Sequence, residues 1–164
     1  MDNEEILHII NAPKKIIKNP KKEPKIVNGS YRNDFEVALI EDESIVLKVH
    51  LRKNNKFSEN FSIILSYFVP ELQKDIILLR YNGVHGYHKN KIIDDNDFES
   101  FHIHQATSEA ISGGYNAESW AYETKDYTTF EEAATKFWED IRIQDDIQKF
   151  FKDFKIVQLM LFKH

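Results

Sequence analysis

From residue 35 onward the chain alternates between apolar and polar positions. Phe35, Val37 and Leu39 fall on one parity with Glu36 between them; Ile45, Leu47, Val49 and Leu51 do the same against Lys48, His50 and Arg52. A period of two puts each set on its own face of a strand, so these are two half-buried strands. The polar run Glu41-Asp42-Glu43-Ser44 is the turn that joins them. Residues 60–69 predict a third strand and 75–82 a fourth, on either side of Pro70-Glu71. Ile76-Ile77-Leu78-Leu79 is an unbroken apolar run, as expected of a central strand covered on both faces. Residues 98–104 predict a fifth strand and 119–122 a short last one.

The helical signals lie outside this meander. Residues 4–11 read as a short helix, and 106–112 as another, stopped by Gly113-Gly114, where a left-handed cap costs little. A stronger helix starts at Thr128, with Glu131 three residues later as a capping box. Phe130, Ala133, Ala134, Phe137, Trp138 and Ile141 recur at helical spacing and must cover the sheet. Ile147, Phe150, Phe151 and Phe154 repeat the pattern. The expectation is α+β: an antiparallel five- to six-stranded sheet packed by two or three helices. Residues 30–164 form a single domain, preceded over 1–29 by the first helix and a lysine-rich arm. The apolar run 156–162 is either an edge strand or a surface for a dimer or partner.

The arm changes the charge picture. Six lysines between Lys14 and Lys25 oppose Glu23 alone, a charge of +5, which leaves −10 on the rest of a chain whose net charge is −5. Pro13, Pro20 and Pro24 interrupt it, so it reads as a linker or an edge segment, with a solvated tether favoured over an arm that touches RNA or a partner. An acidic body repels a phosphate backbone, so broad nucleic-acid binding would have to go through this arm. With no cysteine, disulfides, thiolate metal sites and cysteine nucleophiles are excluded. No apolar run reaches the roughly 18 residues of a membrane helix, and no secretory leader follows Met1, so the expected setting is cytoplasmic and off the membrane.

The concentrated chemistry is histidine. Four of the seven histidines, His85, His88, His102 and His104, fall between residues 85 and 104. His102 and His104 are two apart on a strand and share a face, while Phe101 and Ile103 supply the core contact. His85 and His88 lie in the loop that leaves the fourth strand, beside Gly83 and Gly86. Arg80, Tyr81 and Asn82 stand at the same end.

Three chemistries fit. In metal-free phosphodiester cleavage one imidazole takes a 2′-hydroxyl proton and another protonates the leaving oxygen, with Arg80 as phosphate clamp. A divalent metal could instead sit on His102, His104 and a further histidine or Glu109. In the third, the histidines are hydrogen-bonded, structural and inert. There is no P-loop, dinucleotide fingerprint or nucleophile elbow. The acidic run Asp94, Asp95, Asp97 and Glu99 lacks calcium-loop spacing and reads as a solvated loop. Trp120, with Tyr115 and Tyr122, could stack a base, although core packing is the cheaper account.

The run Leu79-Arg80-Tyr81-Asn82-Gly83-Val84-His85, followed by His102-Ile103-His104, resembles the core of TumE-type toxins of bacterial toxin–antitoxin pairs and their small uncharacterised relatives. The likeness covers about residues 75–104; Gly83-Val84-His85-Gly86 replaces the histidine-proline context of those toxins. It implies a toxin-like protein of a mobile or defence locus that acts on RNA and has a cognate antitoxin. The expected site is then His85, His102 and His104 as acid–base residues with Arg80. Tyr81, Asn82, His88, Tyr115 and Trp120 would be substrate contacts. The rival expectation is a non-catalytic phage or mobile-element protein whose acidic body neutralises a basic protein partner.

Overall fold

The computed structural model describes residues 1–84 and 100–153. In chain order these form α1 (Asn3–Asn11), β1 (Lys14–Lys18), β2 (Lys25–Val27), β3 (Ser30–Leu39), β4 (Val46–Asn54), β5 (Phe61–Val69), β6 (Lys74–Asn82), β7 (His102–Gln105), α2 (Ser108–Ser112), β8 (Trp120–Glu123), α3 (Phe130–Asp140) and α4 (Ile147–Asp153). The strands make one antiparallel sheet in the order β1-β3-β4-β5-β6-β7-β8, and β2 shares the β3 edge with β1. The architecture is α+β, as the alternation predicts.

The sheet has eight described strands rather than five or six, and the two extra ones come from the lysine arm. The arm is therefore an edge segment and not a solvated tether. Pro13 precedes β1 and Pro20 and Pro24 fall between β1 and β2, and lysine and proline are the residues that sheet edges tolerate. Asn28 (φ 50°) and Gly29 (φ 76°) make the two-residue turn of the β2–β3 hairpin, both in the left-handed region such a turn requires.

Lys14 anchors β1. It is fully buried, and its Nζ donates to the carbonyls of Ile10 (2.7 Å), Ala12 (2.8 Å) and Ile141 (2.8 Å). These are orphan carbonyls at the C-terminal ends of α1 and α3, where a cation is favoured. Burial, helped by the Arg142 cation, pulls the ammonium down from 10.5 to about 7.

One face of the sheet is the core. Phe35, Val37 and Leu39 (β3), Leu47, Val49 and Leu51 (β4), Phe61, Ile63 and Leu65 (β5) are all buried there, with Leu79, Tyr81 and Ile103. Ile6, Ile9 and Ile10 of α1, the Phe130, Ala133, Ala134, Phe137 and Trp138 stripe of α3, and Phe150 and Phe151 of α4 cover it. The cap of α3 sits one residue later than expected. Thr129 Oγ1 accepts from the Glu132 N–H (3.1 Å), and the Thr128 N–H donates to Glu132 Oε2 (3.3 Å). Strand β7 begins at His102, later than residue 98, and Phe98, Phe154 and the run 156–162 lie outside the described residues. Among the described residues no helix is long and apolar enough to cross a membrane.

Candidate functional site on the polar face of the sheet

The other parity of the same strands builds the second face, and strand register aligns it into two rows. One row runs Lys25, Arg32, Arg52, Ser62, Asn82, His102 and Glu123, each residue directly opposite the next across β2 to β8. The adjacent row runs Asp34, His50, Ile64, Arg80, His104 and Ala121. Neighbours in a row are separated by one strand spacing, about 4.8 Å.

His102 and His104 share this face as their spacing predicts, with ring centroids 5.1 Å apart in an edge-to-face arrangement. Their environments differ. His102 is completely buried; its Nδ1 meets the Ser100 carbonyl (2.8 Å) and its Nε2 meets Asn82 Nδ2 (3.3 Å). Asn82 Oδ1 in turn accepts from Ser62 Oγ (2.6 Å), and the Tyr127 hydroxyl lies 2.9 Å from both the Asn82 and His102 carbonyl oxygens. The tautomer that satisfies these bonds is neutral, with its proton on Nδ1. His102 is thus pinned from both sides.

His104 is 7% exposed, and its Nδ1 lies 2.9 Å from the Glu118 carbonyl oxygen. Donation from Nδ1 fixes the ring and makes Nε2 the basic nitrogen, the arrangement by which a backbone carbonyl orients a working imidazole. Directly opposite stands Arg80, which spends one donor on Glu118 Oε1 (3.3 Å). The Arg80 Nε–H is buried and meets no acceptor among the described residues. Burial draws the guanidinium below its ordinary value, and the Glu118 carboxylate pulls the other way.

Among the described residues the remaining expected contacts do not converge here. Tyr81 has the opposite parity: it is buried in the core, stacked on Tyr127 (5.8 Å), and its hydroxyl donates to Asp140. Burial and the Asp140 carboxylate raise its pKa far above the usual phenol. Trp120 and Tyr122 pair with each other (5.0 Å) on the core parity at the β8 edge, beyond the core itself. Tyr122 is 39% and Tyr115 46% exposed, so core packing does not account for these two rings. Glu109 is exposed and engaged with Asn3 and Ser108. Among the described residues no group of three histidines and carboxylates is close enough to hold a metal ion. His85 and His88 lie outside the described residues.

A further array on this face escaped the sequence reading. Asp34 Oδ1 lies 2.9 Å from His50 Nδ1, and His50 Nε2 lies 3.0 Å from Ser66 Oγ, the order of a carboxylate–imidazole–hydroxyl relay. Burial alone would raise the Asp34 pKa, but hydrogen bonds from His50 and Arg52 outweigh it and hold the carboxyl below its ordinary range. Ser66 is buried to about the same degree as His104, at 6% against 7% exposed. The relay ties three strands together. The alternation already put His50 and Arg52 on one face; the equal parity of Asp34 was the available signal for its partner.

No family model, no curated protein and no solved structure matches this chain.

Proposed function

We propose that the chain is a toxin-type protein that cleaves RNA phosphodiesters, with His104 as the proton-transferring imidazole and Arg80 as the phosphate clamp. The observation that carries this reading is Arg80 directly opposite an imidazole whose tautomer a backbone carbonyl fixes. His104 Nε2 is buried in this structure, so the reaction requires that a 2′-hydroxyl reach it; Nε2 then accepts that proton and the 2′-oxygen attacks phosphorus. The 5′-oxygen then leaves with a proton from a second acid, leaving a 2′,3′-cyclic phosphate and a 5′-hydroxyl. Arg80 lowers the barrier by donating to the phosphate oxygens as their charge grows. His102, with both nitrogens engaged, is a positioning residue. His85 is the sequence-based choice for the second acid.

The test is expression of the parent and of His104→Ala in a bacterial host, with mapping of RNA ends. The parent should arrest growth and leave 2′,3′-cyclic ends without added metal. His104→Ala should lose both effects while still unfolding cooperatively, with the loss of about 1–3 kcal/mol expected for a buried hydrogen-bonded side chain. An inert parent, or a variant that only loses its fold, makes the histidine pair structural.

A second reading has its own observation. A groove of about 630 Å³ beside α1 has Ile9, Ile45, Tyr67 and Val69 as an apolar floor and Asp2, Glu4, Glu5 and Glu71 at its rim. Burial first, then the fields of Glu71, Asp42 and Glu5, push the Tyr67 hydroxyl upward. Such a groove suits a cationic, partly apolar segment of a basic protein. Salt-sensitive binding of a lysine-leucine peptide, abolished by Glu4→Lys with Glu71→Lys, would support the acidic-inhibitor reading; no binding at low salt would remove it.

A further inference from the structure

The polar row that passes through His102 begins in a group of cations. Lys25, Arg32 and Arg52 stand directly opposite one another across β2, β3 and β4. Like charges facing each other across strands repel, so this arrangement carries a cost that a bound anion would remove. Arg52 is partly neutralised by Asp34 (2.8 Å) and donates to the Leu51 and Asn33 carbonyls. Arg32 has no such relief: its Nε is buried without an acceptor among the described residues.

The connection between β1 and β2 brings more cations to the same place. Asn33 accepts from the Lys21 N–H (3.2 Å) and donates to the Lys21 carbonyl (2.8 Å), which fixes that segment over the β3 edge. The result is a cleft of about 490 Å³ lined by Lys18, Lys21, Lys25, Arg32 and Arg52, against the carboxylates of Glu23 and Asp34.

We propose that this cleft binds the phosphate backbone of single-stranded RNA, holding it along the row that leads to the histidine pair. The proposal rests on the reading of that pair as an RNA-cleaving site and supplies its substrate-binding surface. From Arg52 to His102 is three strand spacings, roughly 14 Å. Arginine forks in a row match phosphate oxygens better than isolated lysines do, and the flanking lysines add charge without geometric demand. The cleft sets five cations against two carboxylates on a chain whose net charge is −5, so phosphate is drawn to it while the acidic surface repels RNA.

The test is fluorescence anisotropy of a short fluorescein-labelled uridine oligomer with the full chain carrying His104→Ala, which separates binding from cleavage. Lys21→Gln with Lys25→Gln changes two exposed side chains and leaves the fold intact. It should weaken binding about tenfold between about 50 and 200 mM salt. It should also reduce the slope of log affinity against log salt by about 1.4, at about 0.7 per cation. Arg32→Gln should weaken binding comparably and Arg32→Lys less. The control Lys149→Gln with Lys152→Gln on α4 should leave affinity unchanged.

Absence of RNA binding, or an equal loss in the α4 control, overturns the proposal. Capture of polyglutamate in place of RNA overturns it in favour of an acidic protein ligand. Binding as expected without cleavage by the parent leaves the cleft standing and sinks the catalytic reading. Cleavage whose KM is untouched by the Lys21 and Lys25 changes does the reverse.

Discussion

The two faces of the sheet are made by alternate residues of the same strands, yet different forces hold them. On the helix-covered face β3 to β7 contribute aliphatic or aromatic side chains, and stability there scales with apolar area removed from water. On the other face Asn82 and His102 are just as deeply buried, but they are polar and each is held by a directed hydrogen bond. Burial alone does not separate core from site; the chemistry of what is buried does. A non-directional face tolerates shape changes, whereas a directed face fails when one partner is removed.

The sharpest way to test the first half is Trp138→Ala. The indole packs at 6.1 Å from Phe35 and 4.9 Å from Phe150, and its Nε1 donates to the Asp145 carbonyl (3.0 Å). Removing it should cost about 3–5 kcal/mol in denaturant unfolding, through lost contacts and a residual cavity. A loss below about 1 kcal/mol would mean that α3 is not part of the core.

Lys14→Met should come next, at about 2–4 kcal/mol, because three helix-end carbonyls lose their donor while a costly buried charge is removed. The sign with pH follows from the lowered ammonium. The unfolded chain holds that proton up to 10.5 and the folded one only to about 7, so the contribution of Lys14 grows as pH rises through that window. The stability gap between parent and variant should widen between pH 7 and 9 in paired urea titrations. A constant gap would show that Lys14 stays charged throughout.

These two positions also show what was legible in the chain. The stripe containing Trp138 follows from helical periodicity alone, and the meander from period-two alternation. Lys14 was not legible as buried, because a lysine-rich, proline-punctuated segment carries the same composition whether it is a free tether or the edge of a sheet. The one local signal was Asn28-Gly29 between two short extended runs, a hairpin turn that charge composition masked. The shared face of His102 and His104 was readable from their spacing. The pairing of Arg80 with His104 was not, because β6 and β7 are separated by residues 83–101, too long a stretch for its length to fix their register. Nor could alternation warn that the polar parity would be buried: it assigns faces, and the hydrogen bonds that permit burial need the register.

Asn82→Ala tests the directed face itself. It removes the acceptor of the half-buried Ser62 Oγ and the donor to the buried His102 Nε2. The expected loss is about 1–3 kcal/mol, more than the small side chain would cost on area alone. Asn82→Leu should not recover it, although leucine is larger and more apolar. Recovery by leucine would mean that this face, too, is held by area.

The smallest effect is expected at Asp34, where the polar face meets solvent. Its carboxylate bonds His50 and Arg52, but the side chain is 57% exposed, so water and salt screen the interaction to below about 1 kcal/mol. Its folded pKa lies below the ordinary 3.8, so its stabilising contribution is complete above that value and is lost as pH falls through the folded one. Asp34→Asn should therefore differ slightly from the parent at neutral pH, and the difference should shrink as pH is lowered from about 4. High salt should shrink it at neutral pH as well, since exposed pairs are screened within about one Debye length. Asn82→Ala, by contrast, removes no charge and should respond to neither variable. If Asp34→Asn instead cost as much as Asn82→Ala and ignored salt, the Asp34–His50–Ser66 relay would belong with the buried network. The boundary between the tied and the solvated halves of that face would then lie at the sheet edge and not at β4.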